Sequence, residues 1–154
     1  MTLKVKAEQL EGIRQHARET YPNECCGALV GLADGNGDKE VREIVRLPNS
    51  FERETAAALG IDEDERGLRN RYVIDPRDLF ETEKRARSRS LSIIGFYHSH
   101  PDHPAAPSKY DLRVASSGYS YVIVSVDQGQ PKEVTCWETD VARERFESER
   151  LMEI

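Results

Sequence analysis

Long hydrophobic runs are missing from this chain. No stretch approaches the roughly 18 apolar residues of a membrane-spanning helix. The N-terminus, Met1-Thr2-Leu3-Lys4-Val5-Lys6-Ala7-Glu8, has no apolar signal core, which argues against secretion. Cysteine is scarce. Cys25, Cys26 and Cys136 are an odd set with two adjacent members, so they offer no disulfide framework, and a reducing cytoplasm fits best. Positive charge is also short: the formal net charge is −6, which excludes the broad basic surface that nucleic-acid backbones require. Internal repeats and low-complexity tracts are lacking as well.

What is present suits a soluble α/β protein. A chain of 154 residues is expected to form a single domain over 1–154, and one of this size buries roughly 70% of its unfolded surface without needing cross-links. Leu10, Ile13, Ala17 and Tyr21 recur at helical spacing, so 7–20 reads as an amphipathic helix that Pro22 ends. Cys25 to Leu32 and Glu40 to Leu47 read as two strands joined at the turn signal Asp34-Gly35-Asn36-Gly37-Asp38. Residues 48–71 carry many charges and little periodicity, and read as an insertion loop, either substrate-contacting or disordered. Within it, Ala56-Ala57-Ala58-Leu59 could form a helical turn.

Asp75-Pro76 then opens a helix, a cap followed by proline at its first position. Leu79, Phe80 and Ala86 are expected on its buried side. Its basic cluster, Lys84, Arg85, Arg87 and Arg89, follows Glu81 and Glu83 and reads as a solvated face; docking of an acidic partner is the sharper alternative. Tyr119 to Val126 and Glu133 to Glu138 read as strands. Asp140 is expected to cap a final charged helix within 140–154. The expected order is α β β α β α β β α, a mixed β-sheet flanked by helices.

One constellation carries chemistry. Leu91 to Tyr97 is an apolar run that reads as a buried strand, and His98 and His100 stand at its end. Residues i and i+2 of a strand share a face, so these imidazoles can converge. Asp111, at the start of the next helix, can return as a third ligand. Two imidazoles and a carboxylate, with a fourth position left to water, is the donor set of a catalytic zinc. Ser108-x-x-Asp111 is equally a capping box, and alone it would merely finish a helix N-terminus. The upstream His-x-His, and a link containing Pro101, Pro104 and Pro107, favour the metal.

His98-Ser99-His100-Pro101 followed by Ser108-x-x-Asp111 resembles the signature of the JAMM (MPN+) metalloproteases, with every position present. That family also needs a glutamate just before a glycine-bearing strand. Glu24, in Pro22-Asn23-Glu24-Cys25-Cys26-Gly27-Ala28-Leu29-Val30-Gly31, fits it. The resemblance runs from the first helix to about Val126. It implies a cytidine-deaminase-like architecture and Zn²⁺ held by His98, His100 and Asp111. It also implies Glu24 as general base and Ser108 as a donor to the oxyanion. On residues alone Glu24, 74 positions before His98, reads as a surface carboxylate; only the resemblance gives it a catalytic role.

The activity so implied is a zinc metallopeptidase or isopeptidase acting at the C-terminus of a ubiquitin-like protein. Short bacterial-type members point to sulfur-carrier proteins, whose tail would lie extended past the metal. Two other readings stay open: a non-catalytic scaffold of the same fold, and a zinc amidase acting on a small molecule. His₂Asp sites also accept other divalent ions. His103 is expected to be exposed near the site without ligating. His16 is expected at the surface, Cys25 and Cys26 as small buried thiols, and Trp137 in the core or at an edge of the last strand.

Overall fold

Short, almost uninterrupted apolar runs build the middle of the molecule. A computed structural model describes residues 1–51, 72–140, 142 and 144–154. Along these residues the chain forms β1 (Thr2–Val5), α1 (Ala7–Thr20), β2 (Cys26–Ala33), β3 (Lys39–Leu47), α2 (Pro76–Ser88) and β4 (Ser92–Pro101). There follow α3 (Lys109–Val114), β5 (Ser120–Asp127), β6 (Gln130–Thr139), β7 (Phe146–Ser148) and β8 (Arg150–Glu153). Eight strands form one sheet in the order β7-β6-β5-β4-β2-β3-β1-β8. The sheet is mixed: β4 pairs β5 and β1 pairs β3 in parallel, whereas β2 pairs both β3 and β4 antiparallel.

The central strands are buried on both faces, which is why β5 reads as a continuous apolar run. On one face α1 lays Leu10, Ile13 and Ala17 against Leu29, Val41, Tyr97, Val122 and Val124. Gln9 secures the helix start: its Oε1 accepts the Lys6 N–H at 2.9 Å, and its Nε2 donates to the Val41 carbonyl at 3.2 Å. On the other face, Ala86 of α2 packs with Val30 and Ile93, and Tyr110 of α3 packs with Cys26 and Ala28. The β2–β3 hairpin turns where expected, with Asp34 Oδ1 accepting the Asn36 and Asp38 N–H groups at 2.8 and 3.0 Å.

Gly27 faces Tyr97 across the β2–β4 ladder. A Cβ there would lie 2.1 Å from the tyrosine ring. Only glycine lets that ring cross the strand beside His98.

Several expectations need correction. The charged helix expected within 140–154 does not form. Phe146–Ser148 instead pairs with β6, and Arg150–Glu153 pairs in parallel with β1. Strand edges waiting for partners outweigh the weak helical character of a charged run. Glu149, between the two strands, is fully buried at its side chain and lies 3.6 Å from Lys39 Nζ. Strand β1 was not foreseen; too short to show periodicity, it is defined by its two neighbours. Phe80 is 64% exposed, because the buried stripe of α2 runs through Thr82 and Ala86 and residue 80 falls off that line. From residue 52 to 71 the expected insertion, with its Ala56–Leu59 turn, lies outside the described residues.

Candidate metal centre

Strand register explains how distant residues meet. Cys26 pairs with His98 in the antiparallel β2–β4 ladder. Two residues further, in opposite directions, Glu24 comes level with His100. Ser99 pins this alignment twice: its N–H donates to the Cys25 carbonyl at 3.1 Å, and its hydroxyl accepts the Cys25 N–H at 2.8 Å. Glu24, His98 and His100 each offer a ligand atom within 4.8 Å of the others, and all three are buried.

Asp111 arrives from α3 and touches both rings. Its Oδ1 lies 3.1 Å from His98 Nε2, and its Oδ2 lies 3.1 Å from His100 Nε2. The two Nε2 atoms are themselves 3.1 Å apart. The capping box is also present: Ser108 Oγ accepts the Asp111 N–H at 3.0 Å, and Asp111 Oδ2 accepts the Ser108 N–H at 2.8 Å. Capping and ligand-like placement therefore coexist in one carboxylate, which the helix end orients toward the histidines.

The donor set fits a divalent cation. His100 Nδ1 donates to the Pro104 carbonyl at 2.8 Å, so in the neutral ring Nε2 would offer its lone pair to an ion at the cluster. A lone pair, a second imidazole and a carboxylate then converge in a buried space, an arrangement that calls for positive charge at its centre. Burial would raise the Asp111 carboxyl, but the charge of His98 and the hydrogen bonds from His100 and His98 hold it well below the usual carboxylate range. Burial would depress His100, but Asp111, by hydrogen bond and by charge, raises it with help from the Pro104 carbonyl. His98 Nδ1 is buried with no hydrogen-bond partner among the described residues.

Other residues sort clearly. His103 is exposed at the rim, its ring 6.3 Å from that of His100. Cys25 and Cys26 are free, buried thiols; burial pushes them up to about 11 and about 12, so neither offers a thiolate at neutral pH. Trp137 is half-buried on β6. His16 is not a plain surface residue: it is half-buried, with Nδ1 2.7 Å from the Tyr97 hydroxyl. Tyr72 went unnoticed in the sequence because it ends a charged stretch with no periodic signal. Its ring stacks on His98 with centroids 4.6 Å apart. It also lines an adjoining cleft of about 340 Å³ with Phe96, Tyr110, Val114 and Tyr121.

This chain is similar to known proteins. A Thermus thermophilus protein described as a probable TtuB-protein conjugate cleaving protease is 30% identical over 127 residues, covering 82% of this chain and 72% of that protein. A desampylase of Haloferax volcanii is 31% identical over 130 residues, covering 81% of each. The solution structure of a Desulfitobacterium hafniense protein superposes with a TM-score of 0.78 at 27% identity, covering 99% of this chain and 92% of that one. Residues 6–140 match the family of prokaryotic homologs of the JAB domain, in agreement with the motif from His98 to Asp111, and the chain belongs to that family.

Proposed function

We propose that this protein is a zinc-dependent peptidase or isopeptidase that cuts a bond at the C-terminal tail of a ubiquitin-like protein. The observation that carries this reading is the β2–β4 register, which sets a buried glutamate level with His100 beside the His98–Asp111 contact. His98, His100 and Asp111 are the residues that would hold the ion. Zinc there would supply Lewis acidity, bringing the pKa of water from 15.7 toward about 7.

The chain's own groups do the rest. Glu24 accepts the proton that the attacking water loses and returns it to the leaving nitrogen. The Ser108 oxygen already accepts the Asp111 N–H, so its O–H remains to donate to the oxyanion. Tyr72 covers one face of His98 and limits the directions in which that ring can turn. The substrate class is supported by relatives named for cleaving TtuB-protein conjugates and for desampylation.

The test is incubation of zinc-loaded protein with ubiquitin-like carriers bearing C-terminal extensions, read by mass spectrometry. Wild type is expected to release the extension. Glu24→Gln is expected to slow release by about 10²–10⁴-fold, the usual contribution of a positioned base, while keeping zinc. No cleavage of any such tail, or full activity in Glu24→Gln, would overturn the reading.

A further inference from the structure

Asn49 stands between two walls of the site. It lies just beyond β3 and is half-buried. Its Nδ2 donates to the Glu24 carbonyl at 3.1 Å. Its Oδ1 accepts the N–H groups of Phe51 and Val73, each at 3.1 Å. Beside it, the Ser50 N–H donates to the Val73 carbonyl at 2.8 Å. One amide thus uses both of its ends, and only this orientation matches these three partners: a flip would set NH₂ against two N–H groups and oxygen against a carbonyl.

What Asn49 joins is specific. Glu24 precedes β2, so strand pairing alone does not fix its backbone. Val73 follows Tyr72, whose ring stacks on His98. The Tyr72 carbonyl accepts the Tyr110 hydroxyl at 2.6 Å, and Tyr110 precedes Asp111. One chain of contacts therefore runs from the Glu24 backbone, through the Asn49 amide and Val73, to the residues that flank His98 and Asp111. On its opposite side Glu24 is bounded by the Ser99–Cys25 pair of hydrogen bonds.

We propose that Asn49 is a positioning residue for Glu24, tying the backbone of that carboxylate to the Tyr72–Val73 segment that packs on His98 and so setting its distance from the imidazoles. This deepens the function proposed above and rests on Glu24 acting as the base. Misplacing a reacting group by about 1 Å can cost about 10²-fold in rate. Asn49→Asp keeps the oxygen that accepts Phe51 and Val73 but loses the donor to Glu24. Asn49→Ala loses both.

The experiment makes each variant alone and combined with Glu24→Gln, and follows hydrolysis of a ubiquitin-like tail by zinc-loaded protein. Both single variants should lose about 10²-fold in kcat with KM within about threefold of wild type. In the Glu24→Gln background neither should slow the reaction further, because the carboxylate they position is gone. Amide hydrogen exchange reads the clamp without turnover: Phe51 and Val73 should exchange at least about tenfold faster in Asn49→Ala and stay protected in Asn49→Asp. Unchanged exchange in Asn49→Ala, equal fractional losses with and without the Glu24 carboxylate, or a rise in KM at constant kcat would overturn the proposal. Those failures leave Glu24→Gln strongly slowed, whereas full activity of Glu24→Gln would show that the function reading itself is at fault.

Discussion

Ser108 shows how one side chain can hold two tasks. Its oxygen caps α3 through the Asp111 N–H, and in the proposed mechanism its proton would serve a substrate oxyanion. Ser108→Ala is expected to lower kcat by about 10²–10³-fold, the usual effect of removing an oxyanion donor. It should also destabilise the fold by about 1 kcal/mol through the lost cap, yet retain zinc. Steady-state kinetics beside metal analysis checks all three, and full activity would remove Ser108 from the chemistry. His16 gives a pH prediction. Burial, with the Arg46 charge adding to it, lowers its pKa from 6.5 to about 4, so the folded state binds fewer protons than the unfolded state between those values. Stability should therefore fall as the pH drops from 6.5 toward 4, with no further contribution from His16 below that window. Denaturant melts should show a shallower pH dependence in His16→Gln across this range; an unchanged slope would contradict the assignment. At this scale the sequence was partly legible. His98, His100 and Asp111 lie within fourteen residues, where spacing and strand geometry speak directly. Glu24 was legible only through the family motif, because its approach depends on the register of a ladder closed across 74 positions. Tyr72 and Asn49 left no local signature, since their value lies wholly in what the fold brings beside them.

Among the elements, the C-terminal strands departed most from expectation. Read locally, the charges after Asp140 suggest a solvated helix. In the fold, Phe146 packs its ring 5.8 Å from Tyr121, and Glu149 turns inward to a buried polar cluster. Glu149 Oε1 accepts the Ser120 hydroxyl at 2.6 Å, and Lys39 Nζ donates to the same Ser120 oxygen at 3.1 Å. This cluster fastens the link between β7 and β8 to β3 and β5. Glu149→Ala leaves a buried ammonium without its carboxylate and is expected to cost about 3–5 kcal/mol. Lys39→Met combined with Glu149→Leu removes both charges and should cost much less than Glu149→Ala alone. Urea melts decide; a Glu149→Ala loss below about 1 kcal/mol would show that the pair contributes little. The elements that were legible, α1, α2, α3 and the five strands β2 to β6, have either a periodic apolar stripe, a cap, or an apolar run. Those that were not, β1, β7 and β8, are short; β1 and β8 owe their conformation to partners far away in sequence, and β7 to the edge of β6 just before it.

For the whole molecule, the sheet order carries a consequence. β7 and β8 stand at opposite ends of that order, yet only Glu149 separates them in the chain. The sheet therefore curls until one C-terminal segment borders both of its ends, with the Glu149 N–H donating to the Cys136 carbonyl at 2.9 Å as it crosses. The curled sheet wraps α1 on its inner side and leaves α2, α3 and the cleft beside Tyr72 on the outer side, where the His98 cluster lies against Tyr72. No helix among the described residues is long and apolar enough to cross a membrane. The account turns on metal-dependent hydrolysis at His98, His100 and Asp111. Its most direct test is the rate of tail cleavage, followed by mass spectrometry, by one preparation of the protein as purified, after chelation, and after zinc is restored. The account predicts cleavage that chelation abolishes and zinc restores, at about one ion per chain. Full-rate cleavage by metal-free protein would contradict it.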